Sequence, residues 1–388
     1  MSTSPSLFSQ YLNAIKNKIK KGTVFIGLPG ACGFEYHCRS ILGEIGEQCT
    51  LVNLEYFPWQ FTVVTFGVQV DIKFTLKSVL ASTVFGTSPP RRGPLSTLQL
   101  LVGGEVGLRS STSFVSVMLS PFNYLLPGLL HGKWKDWDGK PLEEEPGLFA
   151  DVNDKTADLL QAIAGECLKI TEAIHKEKPE AKLGDCKSLT DWLAEYKDSI
   201  SDSSTLLTML KTNSMLGDVK HPMKKKERKT KVEYTPEFEE TLLEFLSYSL
   251  IVIRGIAEIL VVPTPKLDEL ILWCQGKTKK VFLKDGKLMP EKSIKDTSCP
   301  QKFDVKTLNG LLLIKELPPD PVIPDLSDIL GAAEKKESTE TSNSTEKPDS
   351  KEKPDSKEKP DSKEKPDSKE KPDSKEKSAK TEAGKTKK

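Results

Sequence analysis

The sequence predicts an α/β domain, then an all-helical domain, then a disordered tail. Three observations carry this reading. The first stretch of about ninety residues alternates helical and strand-like apolar patterns. From Pro94 onward leucine-rich helical runs take over. Beyond Ala333 the unit Lys-Pro-Asp-Ser-Lys-Glu recurs, with prolines at Pro348, Pro354, Pro360, Pro366 and Pro372.

Residues 8–20 place Phe8, Tyr11, Leu12, Ile15 and Ile19 on one helical face, and Gly22 ends the run. Thr23-Val24-Phe25-Ile26-Gly27 reads as a short buried strand, and residues 28–33 as a turn-rich loop. Residues 34–45 give a second helix and 50–54 a second strand. Helix, strand, loop, helix, strand is the order of a parallel α/β sheet. Residues 61–85, rich in Val, Phe, Thr and Ile, predict further strands. Helical segments follow at 94–103, 154–176, 187–197, 204–216, 236–262 and 266–281, with Asn153 or Asp154 capping the second. The expected domains are therefore 1–92, 93–318 and a tail at 332–388. A proline every sixth residue blocks a stable helix, and the repeat offers no apolar side chain to bury.

Hydrophobic residues make up 37% of the 388, below the roughly 45–50% of globular domains. The deficit sits in the tail, and the remainder is long enough to bury a core. A net charge of +1 gives no global bias toward nucleic acid or anionic membrane. Seven scattered cysteines without a CxxC pair argue against a metal site and for reduced thiols in the cytoplasm. The amphipathic N-terminus lacks the apolar stretch of a secretory signal. Residues 242–262 are apolar, but Glu244, Arg254 and Glu258 suit a buried helix better than a membrane span.

A run at Gly132-Lys133-Trp134-Lys135-Asp136-Trp137-Asp138-Gly139-Lys140-Pro141 closely resembles a motif of the opine dehydrogenases of marine invertebrates, the octopine dehydrogenase type. Gly27-Leu28-Pro29 and Gly33-Phe34-Glu35-Tyr36 look like that family's loop-helix unit. Pro94-Leu95-Ser96-Thr97-Leu98-Gln99, Thr156-Ala157-Asp158-Leu159-Leu160 and Cys299-Pro300-Gln301 match in the same order. The resemblance spans residues 7–313. It implies a partial Rossmann domain followed by an all-α opine dehydrogenase C-terminal domain. It implies NAD(H) as cofactor, and an amino acid and a 2-oxo acid as small-molecule partners. The implied reaction condenses the two and reduces the imine with NADH. Such chemistry needs a bound hydride donor, an acid/base near the imine, and charged groups for the carboxylates.

Measured against the family, several positions depart. No G-x-G-x-x-G turn follows a first strand; the resemblance places the chain's start about seventy residues beyond it. Gly27, Gly30 and Gly33 have the wrong spacing and read as a plain turn, with Leu28 and Pro29 on the nicotinamide side. The family's catalytic histidine position, before a proline, is occupied by Leu126. His131 lies roughly 140° further round a helix and is expected to be a partly exposed surface residue pointing elsewhere. Phe245 occupies the position of the histidine's aspartate partner, with Glu244 adjacent. Glu240 stands at the family's substrate-binding arginine and Ala31 at its substrate-binding glutamine. No residue is therefore assigned as catalytic.

The basic stretch 220–231 reads as a solvated interhelical loop, and its His221 is not promoted to catalyst. Trp134 and Trp137 read as core or cleft wall. Asn343-Ser344-Thr345 is a glycosylation pattern without a secretory signal to give it meaning. Three functional readings stand at this point, the third being an interaction protein that works through its charged tail. The first is a family member that has lost catalysis and works as a binding or regulatory protein, with a protein partner for its charged tail. The second is an active NADH-dependent opine dehydrogenase whose N-terminal part lies outside this sequence.

Overall fold

The computed structural model describes residues 1–227 and 231–314; the repeat tail lies outside the described residues. The α/β layer is built around β2 (Thr50–Leu54), buried along its whole length. Such a strand, covered on both faces, takes mostly apolar residues, and its one side-chain amide, Asn53, accepts the Gly30 N–H and donates to the Ala31 carbonyl. It pairs in parallel with β1 (Val24–Gly27) on one side and antiparallel with β5 (Ser78–Val84) on the other. β5 pairs in parallel with β6 (Gly107–Ser110), giving the order β1-β2-β5-β6. The expected parallel sheet is thus mixed. Residues 54–78 are taken up by a hairpin instead of a crossover helix, so β5 returns antiparallel. Nor does the sheet stop at residue 92, because β6 lies beyond it.

That hairpin, β3 (Trp59–Thr65) and β4 (Gln69–Thr75), is a separate two-stranded ribbon. It exposes Phe61, Val63, Val64, Phe66, Val68, Val70 and Ile72. The strand pattern is legible in the sequence, but the ribbon's detachment from the sheet is not. α1 (Phe8–Ile15) and α2 (Phe34–Glu47) pack together over a small core of Phe8, Leu12, Phe25, Phe34 and Leu51. His37 of α2 sits edge-on to Phe8 and Phe303 and bonds Ser298 Oγ at 2.9 Å, tying this layer to the C-terminal segment. Tyr36 donates to the Leu311 carbonyl at 2.7 Å.

The helical body follows α3 (Pro94–Val102) and comprises α4 (Phe114–Met118), α5 (Phe122–Trp134), α6 (Asp154–Glu177), α7 (Leu189–Ala194), α8 (Leu206–Thr212), α9 (Glu239–Phe245), α10 (Ile251–Ile259) and α11 (Pro265–Thr278). α6 is its spine. Leu160, Ile163, Cys167, Ile170 and Ile174 recur on one buried face at helical spacing, and the Asn153 side chain accepts the Thr156 amide at 3.0 Å as cap. A π-helical turn, Leu246–Leu250, joins α9 to α10, so the single helix expected over 236–262 carries one wide turn inside it. It is core: Leu242, Leu246, Leu250, Val252 and Ile256 are fully buried. Arg254 is held there by Asp268 at 2.9 Å and Glu258 at 3.0 Å. The segment Phe114–Trp134 is also long and apolar, but it is 89% buried in the protein.

The basic stretch does not form a loop alone. Met223–Glu227 and Val232–Pro236 pair as the antiparallel ribbon β7–β8. Exposed ion pairs decorate it, such as Lys225–Glu227 at 2.7 Å along one strand, and in water each contributes little stability.

Candidate functional site

The motif 132–141 turns out to be a packing device. Gly132 lets α5 approach α6 so closely that a Cβ there would fall 1.9 Å from Thr156 Oγ1. Trp134 is buried and donates its indole N–H to His221 Nδ1 at 3.1 Å. Trp137 stacks edge-on to Trp134 and donates to the Lys140 carbonyl, while Gly139 takes a positive φ of 85° to close the turn. Cys299-Pro300-Gln301 is similar: Gln301 donates to the Gly255 carbonyl at 2.8 Å, and the segment lies flat on α10 at that glycine.

Two neighbouring cavities lie where the α/β layer meets the helices. The larger, of 470 Å³, is bounded by the β1–α2 loop at Pro29 and Ala31, by Glu55, and by Phe122, Glu244 and Phe245. The second, of 370 Å³, shares Pro29, Phe57, Phe122 and Phe245 and extends between Leu126 of α5 and Trp192 of α7. The structure thus brings Leu126 and Phe245, far apart in sequence, to one cavity wall. Leu126 is half-buried one position before Pro127, and Phe245 closes α9 with its ring 6.3 Å from that of Phe122. Ala31, at positive φ of 54°, reaches only the larger cavity. Glu240 faces neither; it lines a separate surface hollow with Leu243 and Ser247. Of the two loop residues expected at the nicotinamide, Leu28 packs into the core beside the cleft and lines neither cavity, whereas Pro29 faces both.

None of the four histidines lines either cavity. His131 points away from the site, as its helical offset predicts, but it is not a surface residue. It is buried edge-on to Trp273, its Nε2 has no hydrogen-bond partner, and Glu269 stands 4.0 Å away. Burial, then the nearby Lys135, holds its pKa below the ordinary value. The correction has a simple cause: α11 covers this face of α5, a contact invisible to the periodicity of α5 alone. His221 is buried against Trp134, and burial lowers its pKa to about 4. Both rings stay neutral at pH 7 and serve packing.

Residues the sequence reading passed over are the buried carboxyls. Glu55 directly follows β2 and accepts hydrogen bonds from Trp192 Nε1 at 3.0 Å and from Ser120 Oγ. Burial raises its pKa to about 7. Glu35 is buried with neither oxygen in a well-formed hydrogen bond, and burial likewise raises it to about 7. The sole signal in the sequence was an acidic residue at the end of an apolar strand. Among the described residues the smaller cavity has no carboxyl, imidazole or cation on its walls, only the phenols of Tyr56 and Tyr196; the larger has Glu55, Glu244 and Tyr248 but no cation.

The β1–α2 loop does not fit a dinucleotide pyrophosphate. A phosphate cradle needs glycines whose missing Cβ atoms leave room for the ligand and free backbone N–H groups. Here a Cβ at Gly27 would fall 2.4 Å from Gly30 Cα, and one at Gly30 would fall 2.5 Å from Asn53 Oδ1. The Gly30 amide already donates to Asn53 at 2.9 Å. A Cβ at Gly33 would meet the Ser298 carbonyl at 2.7 Å. These glycines allow the protein to pack on itself.

A short sheet set against an all-helical body, with the cleft at their junction, is the layout of a two-part dehydrogenase. The comparisons with known proteins make the class specific. Residues 110–278 match the family model of the NAD/NADP octopine/nopaline dehydrogenase alpha-helical domain. The chain is 33% identical over 315 residues to the opine dehydrogenase of Haliotis discus hannai, covering 80% of this chain and 77% of that one. It is 31% identical over 307 residues to the tauropine dehydrogenase of Arabella iricolor, covering 78% and 76%. Among solved structures, octopine dehydrogenase in complex with NADH and agmatine superposes with a TM-score of 0.76 at 31% identity, over 82% of this chain and 78% of that one. The chain belongs to the opine dehydrogenase family.

Proposed function

We propose that this chain is a family member that has lost the reductive condensation and acts by binding. The observation that carries the reading is the chemistry of the cleft walls. No histidine, lysine or arginine among the described residues lines either cavity, and Leu126 and Phe245 stand where the family resemblance expects an acid/base and its carboxylate partner. The relatives' solved complexes hold NADH with L-arginine or pyruvate. Both organic ligands carry a carboxylate. Burying one without a counter-charge costs several kcal/mol. Leucine and phenylalanine cannot move a proton, and loss of a general acid/base typically slows such steps by about 10²–10⁴-fold. NADH affinity is weak in this reading, because no cation among the described residues lines either cavity to meet a phosphate, and the β1–α2 glycines are taken up by packing within the protein. The seven free thiols suit a reducing compartment such as the cytoplasm. An active enzyme completed by sequence outside this chain is the competing reading, and it leaves Leu126 and Phe245 unexplained.

The test is NADH oxidation by the full chain with pyruvate plus arginine, alanine, glycine or taurine, with calorimetry for NADH alone. We expect no turnover and no measurable binding. Leu126→His by itself restores nothing, since Phe245 and the missing cations are unchanged. Turnover with any of these amino acids would overturn the proposal.

A further inference from the structure

We propose that the 370 Å³ cavity beside Leu126 is a binding site for a neutral, largely apolar small molecule carrying an aromatic ring. The inference rests on the reading of the chain as a binding protein and names what it binds.

The volume lies within the roughly 300–1,000 Å³ of small-molecule sites. Twenty of the described residues line the cavity, and none is a carboxylate, an ammonium, a guanidinium or an imidazole. Apolar side chains make up most of the wall, with α5, α7, α9 and the foot of the β3–β4 ribbon among the elements that supply them. A ligand bearing a charge would lose its hydration there with nothing to replace it. A neutral apolar ligand gains about 25 cal/mol for each Å² it buries.

The wall also has an orientation. Phe245, Phe122, Tyr56 and Trp192 form a continuous aromatic run, with ring centroids 6.3 Å apart for Phe245–Phe122, 5.5 Å for Phe122–Tyr56 and 6.0 Å for Tyr56–Trp192. Offset and edge-on contacts of this kind favour a planar ring over a branched aliphatic one. Polar contact is confined to a few points. The Tyr56 and Tyr196 hydroxyls bond each other, and Asn213 Oδ1 accepts the Met215 amide at 3.1 Å. That leaves the Asn213 amide nitrogen and the Gln60 side chain without protein partners among the described residues. They supply one or two hydrogen bonds to a carbonyl or hydroxyl on the ligand, enough to orient it and too few to hold an ion.

The experiment uses the full chain and a fluorescent neutral probe, 1-aminoanthracene, with anthracene-1-carboxylate as its charged counterpart. The neutral ring is expected to bind at least about tenfold tighter than the carboxylate. Two filling variants, Leu126→Trp in the wall and Gln60→Trp at the exposed mouth, should each weaken the neutral probe by on the order of tenfold. Gln60 lies outside the core, so that variant stays informative if Leu126→Trp fails to fold. Equal binding of the charged and neutral rings overturns the proposal, as does indifference to both variants. Probe binding that appears only after removal of residues beyond 314 also overturns it, because the chain's own C-terminus would then be the occupant. NADH oxidation measured on the same preparation separates the two claims. Turnover with probe binding defeats the loss of catalysis and leaves the pocket standing; no turnover and no probe binding defeats the pocket alone.

Discussion

Glu55→Gln tests the electrostatics of the cleft floor. Glu55 is buried between Ser120 and Trp192, and burial lifts its carboxyl from 4.5 to about 7, although both hydrogen bonds pull the other way. Between those values the folded protein holds a proton that the unfolded chain has released. Stability therefore falls as pH rises through that window and levels off above it. A shift of this size corresponds to about 3 kcal/mol at pH 8. Glutamine keeps an oxygen to accept the Trp192 indole N–H and carries no charge. Glu55→Gln should match the wild type near pH 4.5 and be more stable by up to about 3 kcal/mol at pH 8, a rise of roughly 5–10 °C in melting temperature for a body of this size. Melts followed by circular dichroism at half-unit steps from pH 4.5 to 8 provide the comparison. Glu35, raised to about 7 by the same burial, keeps its own share of the slope in the variant. If the two stability–pH curves run parallel, the carboxyl is charged or solvated in the folded state and the description of the cleft floor is wrong.

Three further outcomes follow from particular contacts. Gly132→Ala puts a Cβ 1.9 Å from Thr156 Oγ1 between two buried helices, so urea denaturation should show a loss of about 1–3 kcal/mol or more. Phe66, 94% exposed at the tip of the β3–β4 ribbon, makes no core contribution. Phe66→Ser should leave the melting temperature within a degree or so, and light scattering at high concentration should show less self-association. Deleting the residues after Ala333 should leave the melting temperature nearly unchanged, and a fall of roughly ten degrees would show that the proline-punctuated repeat packs on the body.

The sequence by itself determined the elements whose signal is local. The segment 50–54 gave a strand, and the repeat Leu160, Ile163, Cys167, Ile170, Ile174 gave the spine helix with Asn153 as one of two candidate caps. The ordered motifs led to the family, because they fix close packing: Gly132 on Thr156, Trp134 on His221, Gln301 on Gly255. They also singled out Leu126 and Phe245, residues whose chemistry is fixed by identity alone. Helix α5 shows the limit of such reading. It is apolar almost all round, so its periodicity is weak, and its segment stands outside the helices expected from the pattern. The direction of β5, the detachment of the β3–β4 ribbon and the burial of His131 under α11 were decided only in the tertiary structure. Each depends on which distant segment arrives alongside, a matter of packing over the whole chain rather than within a window. The character of the cleft has the same origin. Leu126, Phe245, Tyr56 and Trp192 come from four separate segments, and an uncharged cavity exists only because packing sets them face to face while the histidines and the described lysines and arginines lie elsewhere.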